Sequence, residues 1–177
     1  MLRRGFVFSV AALSAALFAT GCGREAPGHT LLDAAAVYNA HEGLFRSIRA
    51  AYPGPYENFT RIPARDPARA DPMDNDFLSF LRDDIPVEFI DFFPIGDTGK
   101  DEIDVVLWRY QSGDHWNTVS LVYFSEPMVF AEADNDVRAF DKCGDEALSW
   151  LETRKDNGDV SAFCRINDHW QAFQRVE

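Results

Sequence analysis

Ile103-Asp104-Val105-Val106-Leu107-Trp108-Arg109-Tyr110-Gln111, then Ser112-Gly113-Asp114, then His115-Trp116-Asn117-Thr118-Val119-Ser120-Leu121-Val122-Tyr123-Phe124 is the stretch that decides the fold. Two runs rich in β-branched and aromatic residues flank three residues suited to a tight turn, which is the pattern of a hairpin. Working upstream, residues 87–93 are apolar and aromatic, and Asp97-Thr98-Gly99-Lys100-Asp101 reads as the turn that joins them to the hairpin. The three runs therefore form a meander. Pro127 ends the last strand, and residues 128–131 read as a short edge strand. Further downstream, residues 160–166 and 169–176 flank a turn at Asn167-Asp168 and read as a second, C-terminal hairpin.

Helical periodicity is confined to three places. Leu31, Ala35, Tyr38, Phe45 and Ile48 recur at spacings of three, four and seven, which predicts an amphipathic helix over 31–51. Thr30 with Asp33 resembles a capping box at its start, and Tyr52-Pro53-Gly54-Pro55-Tyr56 stops it. His41 falls on its apolar face as a hydrogen-bonded residue at the core edge. Residues 53–73 have no period and read as an ordered loop held by Tyr56, Phe59 and Ile62. Asp74 can cap a short helix over 76–83 that Pro86 stops, and Asp145 can cap another running to about residue 154, closed by Asn157-Gly158. The class is α+β: one mostly antiparallel sheet, meander plus C-terminal hairpin, with helices on one face. Residues 31–177 are read as one domain. Phe92 and Phe93, adjacent in a strand, must point to opposite faces, and the 53–73 loop is expected to cover the second.

The N-terminus carries a different message. Arg3 and Arg4 precede an uncharged apolar run over 6–18, and Phe18-Ala19-Thr20-Gly21-Cys22 follows. The run is too short for a comfortable membrane span, and the layout is that of an export signal. Residues 1–22 resemble the signal of the bacterial lipoproteins, whose lipobox ends in small residues and a cysteine; Ala19 departs from the usual Leu. The resemblance implies removal of 1–21 and acylation of Cys22, with 22–30 as a short tether. Gly23, in place of the Asp that favours inner-membrane retention, leans towards an outer-membrane position facing the periplasm. Arg3-Arg4 also resembles a twin-arginine motif, although an ordinary positive start accounts for it.

Losing 1–21 removes Arg3 and Arg4 and no acid, so the formal net charge moves from −12 to −14. Such a surface is repelled by nucleic acid and by anionic lipid and attracts cationic proteins. Cys143 and Cys164 are the two cysteines beyond Cys22. An even count in an oxidising compartment predicts a disulfide between them, closing a loop of about twenty residues worth roughly 3 kcal/mol.

Motifs that could carry chemistry are few. Asp114-His115-Trp116-Asn117 and Asp168-His169-Trp170-Gln171 are nearly the same tetrapeptide. If the two turns met on one edge, their imidazoles and carboxylates could ligate a divalent metal, and their Trp rings could anchor a partner; as turns entering strands they also have a purely structural account. Cys143, before a helix, resembles the nucleophile of periplasmic cell-wall cysteine peptidases, with His169 as base and Asp168 as orienter. Lys142-Cys143-Gly144-Asp145 departs from the Asp-Cys-Ser-Gly run of those enzymes, and a disulfide would consume the thiol. No hydrolase elbow, zinc-protease motif, phosphate loop or calcium loop is present. The expectation is a non-enzymatic, lipid-anchored binding or inhibitor module without cofactor. Its expected partner is a cationic envelope protein, such as a basic cell-wall hydrolase or a secreted toxin. An envelope hydrolase and an assembly lipoprotein of an outer-membrane complex are the alternatives.

Overall fold

A computed structural model describes residues 28–52, 54, 56–63, 85–94, 102–126 and 136–177. The expected signal segment with Cys22, the tether to residue 27, the helix at 76–83, the turn at 97–101 and the edge strand at 128–131 lie outside the described residues.

The described chain runs α1 (Leu31–Ala51), β1 (Thr60–Pro63), β2 (Phe89–Phe93), β3 (Glu102–Ser112), β4 (His115–Phe124), β5 (Val137–Phe140), α2 (Asp145–Glu152), β6 (Val160–Arg165) and β7 (Trp170–Val176). The seven strands form one sheet in the order β1-β2-β3-β4-β7-β6-β5. Every pairing is antiparallel except β5 with β6. The meander is therefore β2-β3-β4, and the C-terminal hairpin docks through β7 onto β4. Gly113, at φ 59°, supplies the left-handed residue in the tight β3–β4 turn.

Two strands were not expected. Thr60–Pro63 lies in the stretch read as loop, yet it pairs with β2, Ile62 opposite Ile90. Four residues are too few for a period to register, and Pro63 is tolerated there because β1 is the edge. Val137–Phe140 is equally short and gains strand geometry only from its parallel partner β6. In β3 the register shifts between Val106 and Trp108. This bulge lets Val105, Val106 and Leu107 all be buried, where strict alternation would expose one of them.

Both described helices contribute to one core. Leu31, Ala34, Tyr38, Phe45 and Ile48 of α1 and Ala147, Trp150 and Leu151 of α2 join Ile90, Phe92, Val105, Leu121, Ala162, Cys164 and Trp170 from the sheet. Tyr38, Phe45 and Trp170 form an aromatic centre with ring centroids 5.4–5.5 Å apart. The Asp33 carboxylate accepts from the Thr30 N–H at 2.7 Å and from its hydroxyl at 3.1 Å, fastening the start of α1. The helix kinks at His41, whose backbone leaves the helical region (φ −132°, ψ 28°) two residues before the poor helix former Gly43. The Cys143–Cys164 disulfide is formed and ties the approach to α2 onto β6. No described helix is long and apolar enough to cross a membrane.

Candidate functional site

The two Asp-His-Trp turns sit at opposite ends of the sheet. Trp116 exchanges backbone hydrogen bonds with Glu177 (2.9 and 2.8 Å), whereas His169 accepts from the Phe124 N–H at 2.9 Å. Trp116 and Phe124 are eight residues apart along β4, roughly 25 Å at about 3.3 Å per residue. The two imidazoles therefore do not converge on one metal ion. No group of three or more His, Cys, Asp or Glu side chains among the described residues is arranged to hold one.

Each turn has its own local role. His115 Nε2 lies 3.3 Å from Asp156, and Trp116 is half exposed beside it. At the other end Asn167 organises the turn. Its Oδ1 accepts from the N–H groups of His169 (2.9 Å) and Trp170 (2.8 Å), and its Nδ2 donates to Tyr38 Oη at 2.9 Å. Trp170 is buried, and Asp168 and His169 line a hollow with Tyr123 and Arg49. Cys143 Sγ is bonded to Cys164 Sγ, so while that bond stands it offers no thiolate to His169.

The concentration of unusual chemistry lies elsewhere, on the sheet face that neither described helix covers. Strand register aligns a cross-strand row: Arg61 on β1, Asp91 on β2, Asp104 on β3, Val122 on β4 and Gln171 on β7. The neighbouring row is Phe89, Val106, Ser120, Phe173 and Phe163. Together with Glu102, Arg109, Thr118, Arg175 and Glu177 at its rims, these rows form a groove of about 320 Å³.

Charge in the groove is unevenly matched. Arg61 grips Asp91 with two parallel bonds, Nε to Oδ1 and Nη2 to Oδ2, both 2.6 Å. Its guanidinium also lies 4.1 Å over the Phe89 ring. Arg175 is held by Asp159 and Glu177. Glu102 and Asp104 have no ion-pair partner among the described residues. Burial pushes the Asp104 carboxyl up to about 7; the Glu102 and Asp91 charges act in the same direction, and the Ser120 hydroxyl and Arg61 oppose them. Burial also raises Glu102, while hydrogen bonding to Asp91 raises Arg61.

Three buried acceptors on this face lack any hydrogen-bond partner: Asp104 Oδ1, Ser120 Oγ and Gln171 Oε1. Ser120 is fully buried and Gln171 nearly so, at 0% and 2% exposure. A sheet interior seldom leaves such groups unmet, since each costs about 1–3 kcal/mol. Sequence reasoning passed over this site. The signal was present as single polar residues inside apolar strands, Asp91 in Phe-Ile-Asp-Phe-Phe and Ser120 in Val-Ser-Leu-Val. Alternation made them look like ordinary solvent-facing positions.

Comparison with protein-family models, curated proteins and solved structures returns no match to this chain.

Proposed function

We propose that this protein is a lipid-anchored binding module of the bacterial envelope, facing the periplasm, without catalytic activity of its own, and that its partner is a cationic protein. The observation that carries this reading is the groove on the helix-free sheet face. It combines apolar side chains with carboxylates that no internal cation balances. The acidic net charge would draw a basic partner over distances comparable with the Debye length. The lipobox-like segment ending at Cys22 would confine the encounter to a membrane surface.

The test is capture from envelope extract on the immobilised mature domain at low and high salt. A defined basic protein retained at 50 mM salt and released at 500 mM supports the proposal. Equal retention at both salts, or none at either, overturns it. Cys22→Ser should release the full-length protein from the membrane fraction; continued membrane association of that variant would remove the anchor from the proposal.

A further inference from the structure

We infer that the groove is the seat of an arginine side chain of the partner, whose guanidinium docks on Asp104 and Glu102. The inference rests on the binding-module reading and names the group that the groove receives.

Asp91 and Asp104 are direct neighbours across the β2–β3 ladder, and one guanidinium, that of Arg61, serves the pair. Like charges directly opposite each other in a sheet are unfavourable, and here the second carboxylate has no cation of its own. A second guanidinium would give each aspartate one partner. Glu102, two residues before Asp104 on β3, faces the same side and is also unmatched. An acidic cluster alone would mean little. The independent observation is the set of buried acceptors without donors. Ser120 pairs in register with Val106 and Phe173, and Gln171 with Val122; all three of those neighbours line the groove. Alternation therefore aims Ser120 Oγ and Gln171 Oε1 at the same floor as Asp104 Oδ1.

Several acceptors beside an aromatic wall suit a planar group with five donors better than a compact ammonium with three. Arg61 already displays the mode within this chain: a bidentate grip on an aspartate with the flat face on Phe89. Phe163 and Phe173, whose rings lie 4.6 Å apart, provide a comparable wall for the incoming side chain. Arg109 and Arg175 stand further along the groove and limit it to one added cation at the Asp104 end. The groups facing Asp104 are Asp91 and Arg61 across β2 and β1, Glu102 on its own strand and Ser120 on β4. Since histidine is absent from the described lining, a pH response between 6 and 8 would report on this carboxyl.

The experiment titrates the mature domain with a penta-arginine peptide and a penta-lysine peptide by calorimetry at low salt. At pH 8 the arginine peptide should bind at least fivefold more tightly than the lysine peptide. Asp104→Asn should weaken it tenfold or more, and the pair Asp141→Asn with Glu146→Gln, exposed acids outside the groove, should change it less than twofold. Wild-type affinity should fall on going from pH 8 to pH 6, and Asp104→Asn should flatten that dependence. A thermal melt of Asp104→Asn at or above the wild-type midpoint shows that it folds; if it melts below, Glu102→Gln carries the test with the same expected loss. Equal binding by wild type and the groove variants, or equal loss in the Asp141/Glu146 variant, overturns the inference. If extract capture persists undiminished in Asp104→Asn, the groove assignment fails while the binding module stands. If wild type captures nothing, the module itself fails, whatever the peptides do.

Discussion

Asp91 and Asp104 stand directly opposite each other in the β2–β3 ladder, one gripped by Arg61 and the other without a counter-charge. A domain built for stability alone would place an apolar residue or a second cation at position 104. The strain is held in place by the rest of the sheet and concentrated on one face.

The Asp104 carboxyl makes the fold pH-sensitive in a defined direction. Its folded value of about 7 lies above its ordinary 3.8, so between about pH 4 and pH 7 the native state holds more protons than the unfolded state. Stability is therefore fully present below that window and is lost as pH rises through it, with no further loss above pH 7 from this group. Asp104→Asn should unfold about 1–3 kcal/mol later than wild type at pH 8 and show no gain at pH 4. Urea denaturation at the two pH values measures this, and an equal effect at both would contradict it.

The Arg61–Asp91 pair should behave as a unit. The Asp91 side chain is only 5% exposed, whereas that of Arg61 is 49% exposed. Arg61→Gln strands a buried carboxylate and should cost about 2–3 kcal/mol, below the full cost of splitting a wholly buried pair because water reaches the guanidinium. Asp91→Asn with Arg61→Gln together should recover at least half of that. A double-mutant cycle by urea denaturation gives the coupling directly.

The start of the described chain is fastened to the sheet. Tyr110 Oη donates to the His29 carbonyl, the His29 ring stacks on Trp108 at 4.1 Å, and a Cβ on Gly28 would overlap the Tyr110 ring. Leu31 N–H also donates to Gln174 Oε1 at 3.2 Å, inside the core. Tyr110→Phe should cost about 1 kcal/mol. Gly28→Ala should undock residues 28–30, seen as faster amide exchange there with protection in β4 and β7 unchanged.

Breaking the disulfide should cost about 3 kcal/mol, since it closes a 21-residue separation. The double variant Cys143→Ala/Cys164→Ala should remain folded, because Tyr38, Phe45 and Trp170 hold the other half of the core. Its weakened region should be α2, whose Ala147, Trp150 and Leu151 depend on that staple to stay against β6. Local amide exchange in 145–152 rising well above that in β4 is the expected pattern.

Much of the architecture was legible before any coordinates. The alternation and turn chemistry around Ser112-Gly113-Asp114 specify the β3–β4 hairpin, and the three-four spacing from Leu31 to Ile48 specifies α1, because these are local periodicities that one element expresses alone. Cys143 and Cys164 could be paired on count and compartment. Thr60–Pro63 and Val137–Phe140 could not be read, since four residues have too little pattern and become strands only through a neighbour's hydrogen bonds.

The sequence by itself determined the two hairpins, the capped helices, the acidic balance and the disulfide partners. Tertiary structure alone decided which residues share a place. The antiparallel run of β4 beside β7 sends His115 and His169 to opposite ends of the sheet, although their tetrapeptides are almost identical. The same pairing brings Arg61, Asp91, Asp104 and Gln171 into one row from four separate strands. Register is a non-local property: it is fixed by which faces must be buried together. A groove assembled across strands therefore leaves only scattered single residues in the chain, Asp91 among phenylalanines and Asp104 between isoleucine and valine.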